Sequence, residues 1–334
     1  MSATTPPATF NRPVPFPPMD WPCLVVSQQR CGEGLFRLLL EPKPSSSVRF
    51  QCQAGQFVML DLPEDSFSSG FGFRRPFSVM RVEPETGRFE LFYKVVGRGT
   101  LRMSQLRPGE ILAVLGPLGH GFPTNVAPEG LLLVGGGIGV APMIDVADRY
   151  RQKASSVSPW CFYGARNRDN LGIHDVLCQL IDWNRLHICT DDGSFGFQGH
   201  LGELLAQYRP QLTDTLATTL TDVFVCGPNR MMAAVTRFFH DTCPQVTVWV
   251  SLENPMPCGT GSCFGCVVPL AGGGLPSRSC VDGPVYRATD LRWEADGPAT
   301  DWETTACPPQ TATEAAKATE TTACSVSPVM DKRR

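Results

Sequence analysis

The residues best suited to chemistry are four cysteines late in the chain. Three stand in Cys258-Gly-Thr-Gly-Ser-Cys263-Phe-Gly-Cys266, and Cys280 follows in Arg-Ser-Cys280-Val-Asp-Gly-Pro, giving the pattern C-x4-C-x2-C-x13-C. In that spacing three thiolates come from one tight loop and the fourth returns on a later element, an arrangement that holds a [2Fe–2S] cluster. The interleaved Gly259, Gly261 and Gly265 serve the same end. A loop wrapped around a cluster needs positive φ angles and close backbone approach, which a Cβ obstructs, and its bare N–H groups can then point at sulfur. Zinc is the competing occupant, but structural zinc sites favour paired C-x2-C knuckles, which an x4 spacer matches poorly. Disulfides belong to oxidising compartments, and nothing in the sequence indicates export.

Other stretches have the chemistry of nucleotide sites, each with a plain alternative. Arg74-Arg75-Pro76-Phe77-Ser78 opens an expected strand. Proline is excluded from strand centres, so Pro76 implies an edge or a first position, and the arginine beside it can point off the sheet. Arginine presents a planar fork suited to phosphate; the alternative is a surface arginine pair before an ordinary strand. Phe92-Tyr93-Lys94 leads into Gly97-Arg98-Gly99-Thr100, a turn that either offers N–H groups to a diphosphate or is simply capped by Thr100. Gly135-Gly-Gly-Ile-Gly139-Val-Ala-Pro142 lies between an apolar run and a helical stretch, without the third glycine of a strict G-x-G-x-x-G. Thr190-Asp-Asp-Gly-Ser194 and Cys226-Gly-Pro228 each follow an expected strand. Ligands of doubly wound sheets bind outside the carboxyl ends of the strands, so three such loops on one edge suggest a nucleotide site. Glu253 either turns toward a flavin edge or is a solvated acid. The five histidines show no metal-ligand spacing, and no side chain is assigned a catalytic role.

The elements that must position these residues fall into blocks. Short β-type runs at 23–27, 35–40, 56–60, 77–82 and 89–96, with Pro-Glu-Thr-Gly as a hairpin loop at 84–87, predict an antiparallel barrel. From residue 131 the pattern becomes strand, glycine turn and helix, the opening of a doubly wound domain. Strands are expected at 131–134, 160–163, 186–190 and 222–226, helices at 143–153, 170–182, 201–208 and 229–241, and a last strand at 245–252 that closes the sheet. The expected organisation is a disordered leader over 1–18, a β-barrel over 19–125, a nucleotide-binding α/β domain over 126–252, a cluster module over 253–294 and a disordered Thr/Ala-rich tail over 295–334.

At 334 residues the chain has room for several domains, and a formal net charge of −3 favours neither nucleic acid nor an anionic membrane as partner. The longest apolar stretch, 131–143, is broken by four glycines and too short to span a bilayer. No basic segment followed by an apolar run marks a signal peptide, so a cytoplasmic location is expected. Ten of the fourteen cysteines are scattered without a framework, as buried small hydrophobes in a reducing compartment would be.

Taken together in this order, Arg75-Pro-Phe-Ser78, Phe92-Tyr-Lys94, Gly99-Thr100, Gly116-Pro-Leu-Gly-His-Gly-Phe122, the 135–142 loop, Thr190-Asp-Asp-Gly-Ser194, Cys226-Gly-Pro228 and Ser251-Leu-Glu253 before the cysteines make residues 20–293 resemble one family. It is the electron-transfer subunits of NAD-dependent, heteromeric dihydroorotate dehydrogenases, within the ferredoxin–NADP reductase superfamily. The resemblance implies that FAD is held by Arg75, Pro76, Phe77 and Ser78, by Phe92, Tyr93 and Lys94, and by Gly99 and Thr100. It places the cluster ligands at Cys258, Cys263, Cys266 and Cys280. It also implies NAD as substrate and, as partner, an FMN-containing catalytic subunit in a heterotetramer with two copies of each. The leader and tail are not required by the family.

Nicotinamide gives up two electrons together and a [2Fe–2S] cluster takes one at a time, so a flavin must stand between them. The expected order is NADH, FAD, [2Fe–2S], then an acceptor on another chain, in pyrimidine biosynthesis. Two alternatives stay open: a related reductase subunit of a hydrogenase, sulfur reductase or ferredoxin-linked complex, and a zinc-stabilised binding module on a vestigial nucleotide fold.

Overall fold

A computed structural model describes residues 17–43, 48–62, 74–153, 157–216, 218–273, 275–294 and 297–298. Residues 1–16 of the leader expected over 1–18, and most of the expected tail, lie outside the described residues.

Six strands form a closed antiparallel barrel: β1 (Met19–Gly32), β2 (Leu35–Pro42), β3 (Phe57–Asp61), β4 (Arg75–Val82), β5 (Phe89–Lys94) and β6 (Ile111–Leu118), in the order β1-β2-β5-β4-β3-β6. Alternation places Trp21, Cys23 and Val25 of β1 and Leu112 and Val114 of β6 inside, the period of a strand with one buried face. Phe50 fills the barrel between Phe89, at 4.4 Å, and Trp21, at 5.7 Å edge-on. In β4, Arg75–Ser78 pair only with β3, and Val79–Val82 pair only with β5. Pro76 therefore lies where β4 has one free side, as its missing N–H demands. Helix α1 (Arg98–Met103) follows β5.

The second sheet is built from β7 (Leu131–Gly136), β8 (Trp160–Ala165), β9 (Leu186–Thr190), β10 (Phe197–Gln198), β11 (Asp222–Cys226), β12 (Thr247–Ser251) and β15 (Val285–Arg287). The order is β10-β9-β8-β7-β11-β12-β15, parallel except for β15. Helices α2 (Ala141–Gln152) and α3 (His174–Leu180) pack with Leu131 and Leu133, whereas α4 (Leu201–Gln207) and α5 (Asn229–Thr242) pack with Leu132 and Val134. With both faces covered, β7 is buried along its whole length, as parallel sheets require. Among the described residues no helix is long and apolar enough to cross a membrane.

Two expectations need correction. The strand expected at 245–252 does not close the sheet; β15, from the cysteine segment, pairs antiparallel outside β12, with Val250 opposite Tyr286. The helix expected over 170–182 begins only at His174, because Gly172 takes φ +53 and interrupts the helical path.

The cysteine segment adds a short hairpin, β13 (Val267–Val268) with β14 (Ser277–Arg278). It also packs on the barrel: Phe57 and Met59 of β3 and Leu118 of β6 form one apolar cluster with Met256, Cys266 and Cys280.

Candidate electron-transfer site

A cleft of about 950 Å³ opens at the carboxyl ends of the parallel strands. Gly136 at the end of β7 and Gly137 just beyond it line the cleft, with Arg166 after β8, Asp191 after β9, Gly227 and Pro228 after β11, and Glu253 after β12. This is where a doubly wound sheet receives its ligand. The glycines explain how the edge stays open. Gly137 takes φ +56 and has open space where a side chain would stand, while a Cβ on Gly139 would meet the Cys226 carbonyl at 2.5 Å. Lys94 reaches in from the barrel, with its Nζ donating to Asn170 Oδ1 at 3.1 Å. Together with Arg166 and Arg230 it gives the cleft cationic groups suited to a diphosphate.

The 190–194 loop contributes less than expected. Ser194 donates N–H and Oγ–H to Asp192 Oδ1 at 2.9 and 2.6 Å, which holds the Asp192 carboxyl below its ordinary value, and Thr190 Oγ1 donates to the Phe195 carbonyl. Only Asp191 of this loop faces the cleft, with its Oδ1 2.9 Å from His200 Nδ1. Glu253 is open to solvent at the cleft, yet the protein crowded around its carboxyl raises the pKa. Cys226, at the end of β11, is sealed; burial first and the nearby Glu253 second push its thiol well up.

On the barrel wall, the structure brings Arg75 and Gly99 together so closely that a Cβ on Gly99 would overlap the Arg75 guanidinium. Thr100 Oγ1 accepts the N–H groups of Val96 and Gly97 at 2.9 and 3.2 Å, so it does cap the start of α1. Arg75, Pro76, Phe77 and Ser78 are four successive half-buried residues. A strand that shares its outer face with a ligand has this pattern, and the arginine fork beside bare backbone suits a diphosphate, so the residues fit FAD. Phe77 meets Tyr93 edge-on at 6.0 Å. Tyr93 is buried in the barrel with its hydroxyl 3.3 Å from Gln28 Oε1, and Phe92 packs under the second sheet beside Leu35 and Leu171. Of that strand, Lys94 alone faces the cleft.

The four cysteines form a gradient of exposure: Cys263 is exposed, Cys258 half-buried, and Cys266 and Cys280 buried with their sulfurs 3.3 Å apart. Gly259 (φ +72) and Gly261 (φ +80) turn the loop. The Thr260 N–H donates to Cys258 Sγ and the Gly265 N–H to Cys263 Sγ, both at 3.4 Å. Burial works to raise the Cys258 thiol, but hydrogen bonds from Thr260 and Cys263 bring it down to about 6. In the buried pair, hydrogen bonding with Cys280 lowers Cys266 to about 7, while the same contact and burial raise Cys280. Among the described residues no three His, Cys, Asp or Glu side chains converge on a single metal ion. A binuclear cluster asks for something else, two thiolates per iron, and a buried pair, Cys266 and Cys280, with the more accessible Cys258 and Cys263 fits it. This cysteine set lies next to the barrel wall: Phe57, which packs with Cys266 and Cys280, is paired in register with Ser78.

Arg166 and Arg230 of the cleft belong to no sequence motif, and their one signal is position, since each stands within a few residues of the carboxyl end of an expected strand.

Three sequence families match in chain order. Residues 25–122 match an oxidoreductase FAD-binding domain, 133–237 an oxidoreductase NAD-binding domain, and 253–292 the iron-sulfur cluster binding domain of dihydroorotate dehydrogenase B. The dihydroorotate dehydrogenase B (NAD(+)) electron transfer subunit of Geobacillus thermodenitrificans is 31% identical over 80% of this chain and 96% of its own. The subunit of the same name from Bacillus caldolyticus is 33% identical over the same shares. Among solved structures, an NADH-dependent reduced ferredoxin-NADP oxidoreductase described for flavin-based electron bifurcation superposes with TM-score 0.64 at 29% identity, covering 81% of this chain and 90% of that one. The CS-b5R domains of human Ncb5or superpose with TM-score 0.57 at 21% identity, over 68% of this chain and 67% of theirs, which speaks for the fold alone.

Proposed function

The chain belongs to the family of dihydroorotate dehydrogenase B (NAD(+)) electron transfer subunits, and on that premise we propose that it delivers electrons from NADH to the FMN of a separate catalytic subunit. That partner oxidises dihydroorotate to orotate in the synthesis of UMP. When bound, FAD takes two electrons from NADH as a hydride and gives them up singly to a [2Fe–2S] cluster.

This chain's residues do the binding and the ordering. Arg75 and the backbone at Gly99 and Thr100 hold the FAD diphosphate, and Phe77 and Ser78 line its ring from the same strand. Phe92 and Tyr93 act from beneath, as the packing that fixes β5, while Lys94 faces the cleft. Lys94, Arg166 and Arg230 meet the NADH phosphates, and Asp191 stands where a ribose hydroxyl needs an acceptor. Cys258, Cys263, Cys266 and Cys280 ligate the cluster. One observation carries this reading: Phe57 packs on Cys266 and Cys280 and pairs with Ser78, so the cysteine set and the proposed flavin strand share one wall. Cys263, the exposed ligand, marks the side from which electrons leave. We place the subunit in the cytoplasm, where the thiols, all free among the described residues, stay reduced, and in a heterotetramer with two catalytic subunits.

Anaerobic titration with NADH tests the order of carriers. Bleaching of a flavin band together with a reduced [2Fe–2S] signal in low-temperature EPR is expected, and a colourless protein containing zinc overturns it. The likeness to the bifurcating ferredoxin-NADP oxidoreductase favours a second reading, a ferredoxin-linked reductase. Orotate formation on mixing with a dihydroorotate dehydrogenase catalytic subunit separates the two.

A further inference from the structure

Residues 254–277 contain no charged side chain, and Arg278 is the first charge after Glu253. Its side chain touches both arms of the cysteine set. Nη1 donates to the Gly261 carbonyl at 3.3 Å, the guanidinium carbon lies 5.5 Å from the Phe264 ring centroid, and Nε stands 3.7 Å from Asp282 Oδ2. The same Asp282 oxygen accepts the Arg278 N–H at 2.8 Å. Gly261 lies between Cys258 and Cys263, Phe264 between Cys263 and Cys266, and Asp282 two residues beyond Cys280. One side chain thus reaches the loop on both sides of its exposed cysteine and ties it to the segment bearing the fourth.

Phe264 shows why a tie is needed. It takes φ +55, a left-handed conformation that a residue with a Cβ disfavours, and the residue is 59% exposed. Burial therefore does little to hold it, and the guanidinium over its face does more. Charge adds a second effect. Reduction makes a thiolate-ligated cluster more negative, so a nearby cation favours the reduced form. Removing that cation also leaves the Asp282 carboxylate without its counter-charge, which acts in the same direction.

We propose that Arg278 is the positioning residue of the cluster: it holds the Cys258–Cys266 loop against Cys280 and raises the cluster's reduction potential. This rests on the four-cysteine cluster proposed above. The test uses the full chain with FAD bound, as wild type, Arg278→Gln and Arg278→Lys, with flavin content per chain reporting that each variant is folded. Iron and sulfide content, the rate of cluster bleaching in a chelator, and the midpoint potential from EPR-monitored titration are then measured.

R278Q is expected to lose its cluster about tenfold faster or more, the scale of an outer-shell partner, and to shift to a more negative potential. R278K keeps the charge and lacks the planar fork, so its potential stays near wild type while its bleaching rate is intermediate. A flavin-replete R278Q that loads no cluster also supports the positioning role. Wild-type bleaching and potential in R278Q overturn the proposal, and equal potential shifts in both variants overturn its electrostatic half. A wild-type protein without iron and sulfide instead defeats the cluster assignment itself.

Discussion

Cys161 and Cys258 are the same residue type in opposite settings. Cys161 is the second residue of β8, fully buried, and burial alone pushes its thiol up to about 12. Cys23 in the barrel and Cys189 in β9 behave alike, for the same first reason. At Cys258 burial acts in the same sense, but backbone N–H groups turned toward the sulfur outweigh it. A sheet uses up its N–H groups in the ladder and has none to offer a side chain. A glycine-rich loop has N–H groups to spare. Backbone geometry rather than residue type therefore separates cysteines that pack from cysteines that can ligate.

The largest effect should come from breaking the ligating side. Cys263→Ser removes the exposed member of the set. Partner-linked turnover is expected to fall by more than about a hundredfold, since outer-shell partners alone are worth about 10–100-fold, while NADH still bleaches the flavin. Turnover at the wild-type rate with the catalytic subunit would take the cluster off the electron path.

The packing side gives the converse. Cys161→Ser places a hydroxyl among Leu131, Leu133 and Tyr163. It should cost about 1–3 kcal/mol of stability, the price of a buried polar group without a partner, while iron content and the EPR signal stay as in wild type. A C161S protein that melts normally but lacks a cluster would erase the distinction between the two sets.

How far the sequence reveals this division depends on whether a signal is local. The cysteine spacing is local, and so are the apolar runs of β9 and β11, whose observed ends match those expected. β15 is three residues long, too short for any periodicity, and its place is decided by β12 rather than by its own residues. Gly172 reads in sequence as one more residue of a helix, yet it takes φ +53, and a Cβ there would run into Phe92 and Leu35. Arg166 and Arg230 carry no pattern, because an isolated arginine becomes a phosphate site only once strand ends converge around it. The contacts of Arg278 are wholly tertiary, set by a loop whose path no propensity describes.

The smallest expected effect tests whether burial penalises charge of either sign in the second sheet. His187 of β9 lies between Trp160, at 5.5 Å, and Tyr208, at 4.1 Å, with Phe162 at 4.9 Å. Among the described residues its Nε2 has no hydrogen-bond partner. Burial raises an acid such as the Cys161 thiol by disfavouring its anion; for His187 it lowers the pKa by disfavouring the cation. Above the unfolded value of 6.5, His187 is neutral in both states and contributes no pH dependence. As pH falls below 6.5 the unfolded chain takes up the proton first, so stability declines until the lowered folded pKa is reached and is constant beyond it. Carboxylates add their own slope, so the quantity to measure is the difference between wild type and His187→Phe in denaturation midpoint from pH 7.5 to 5.5. Wild type should lose stability relative to the variant as the solution is acidified. Parallel curves would mean that the stacked imidazole protonates as readily in the fold as in the open chain, and that the aromatic faces around it, unlike the core around Cys161, do not penalise a charge here.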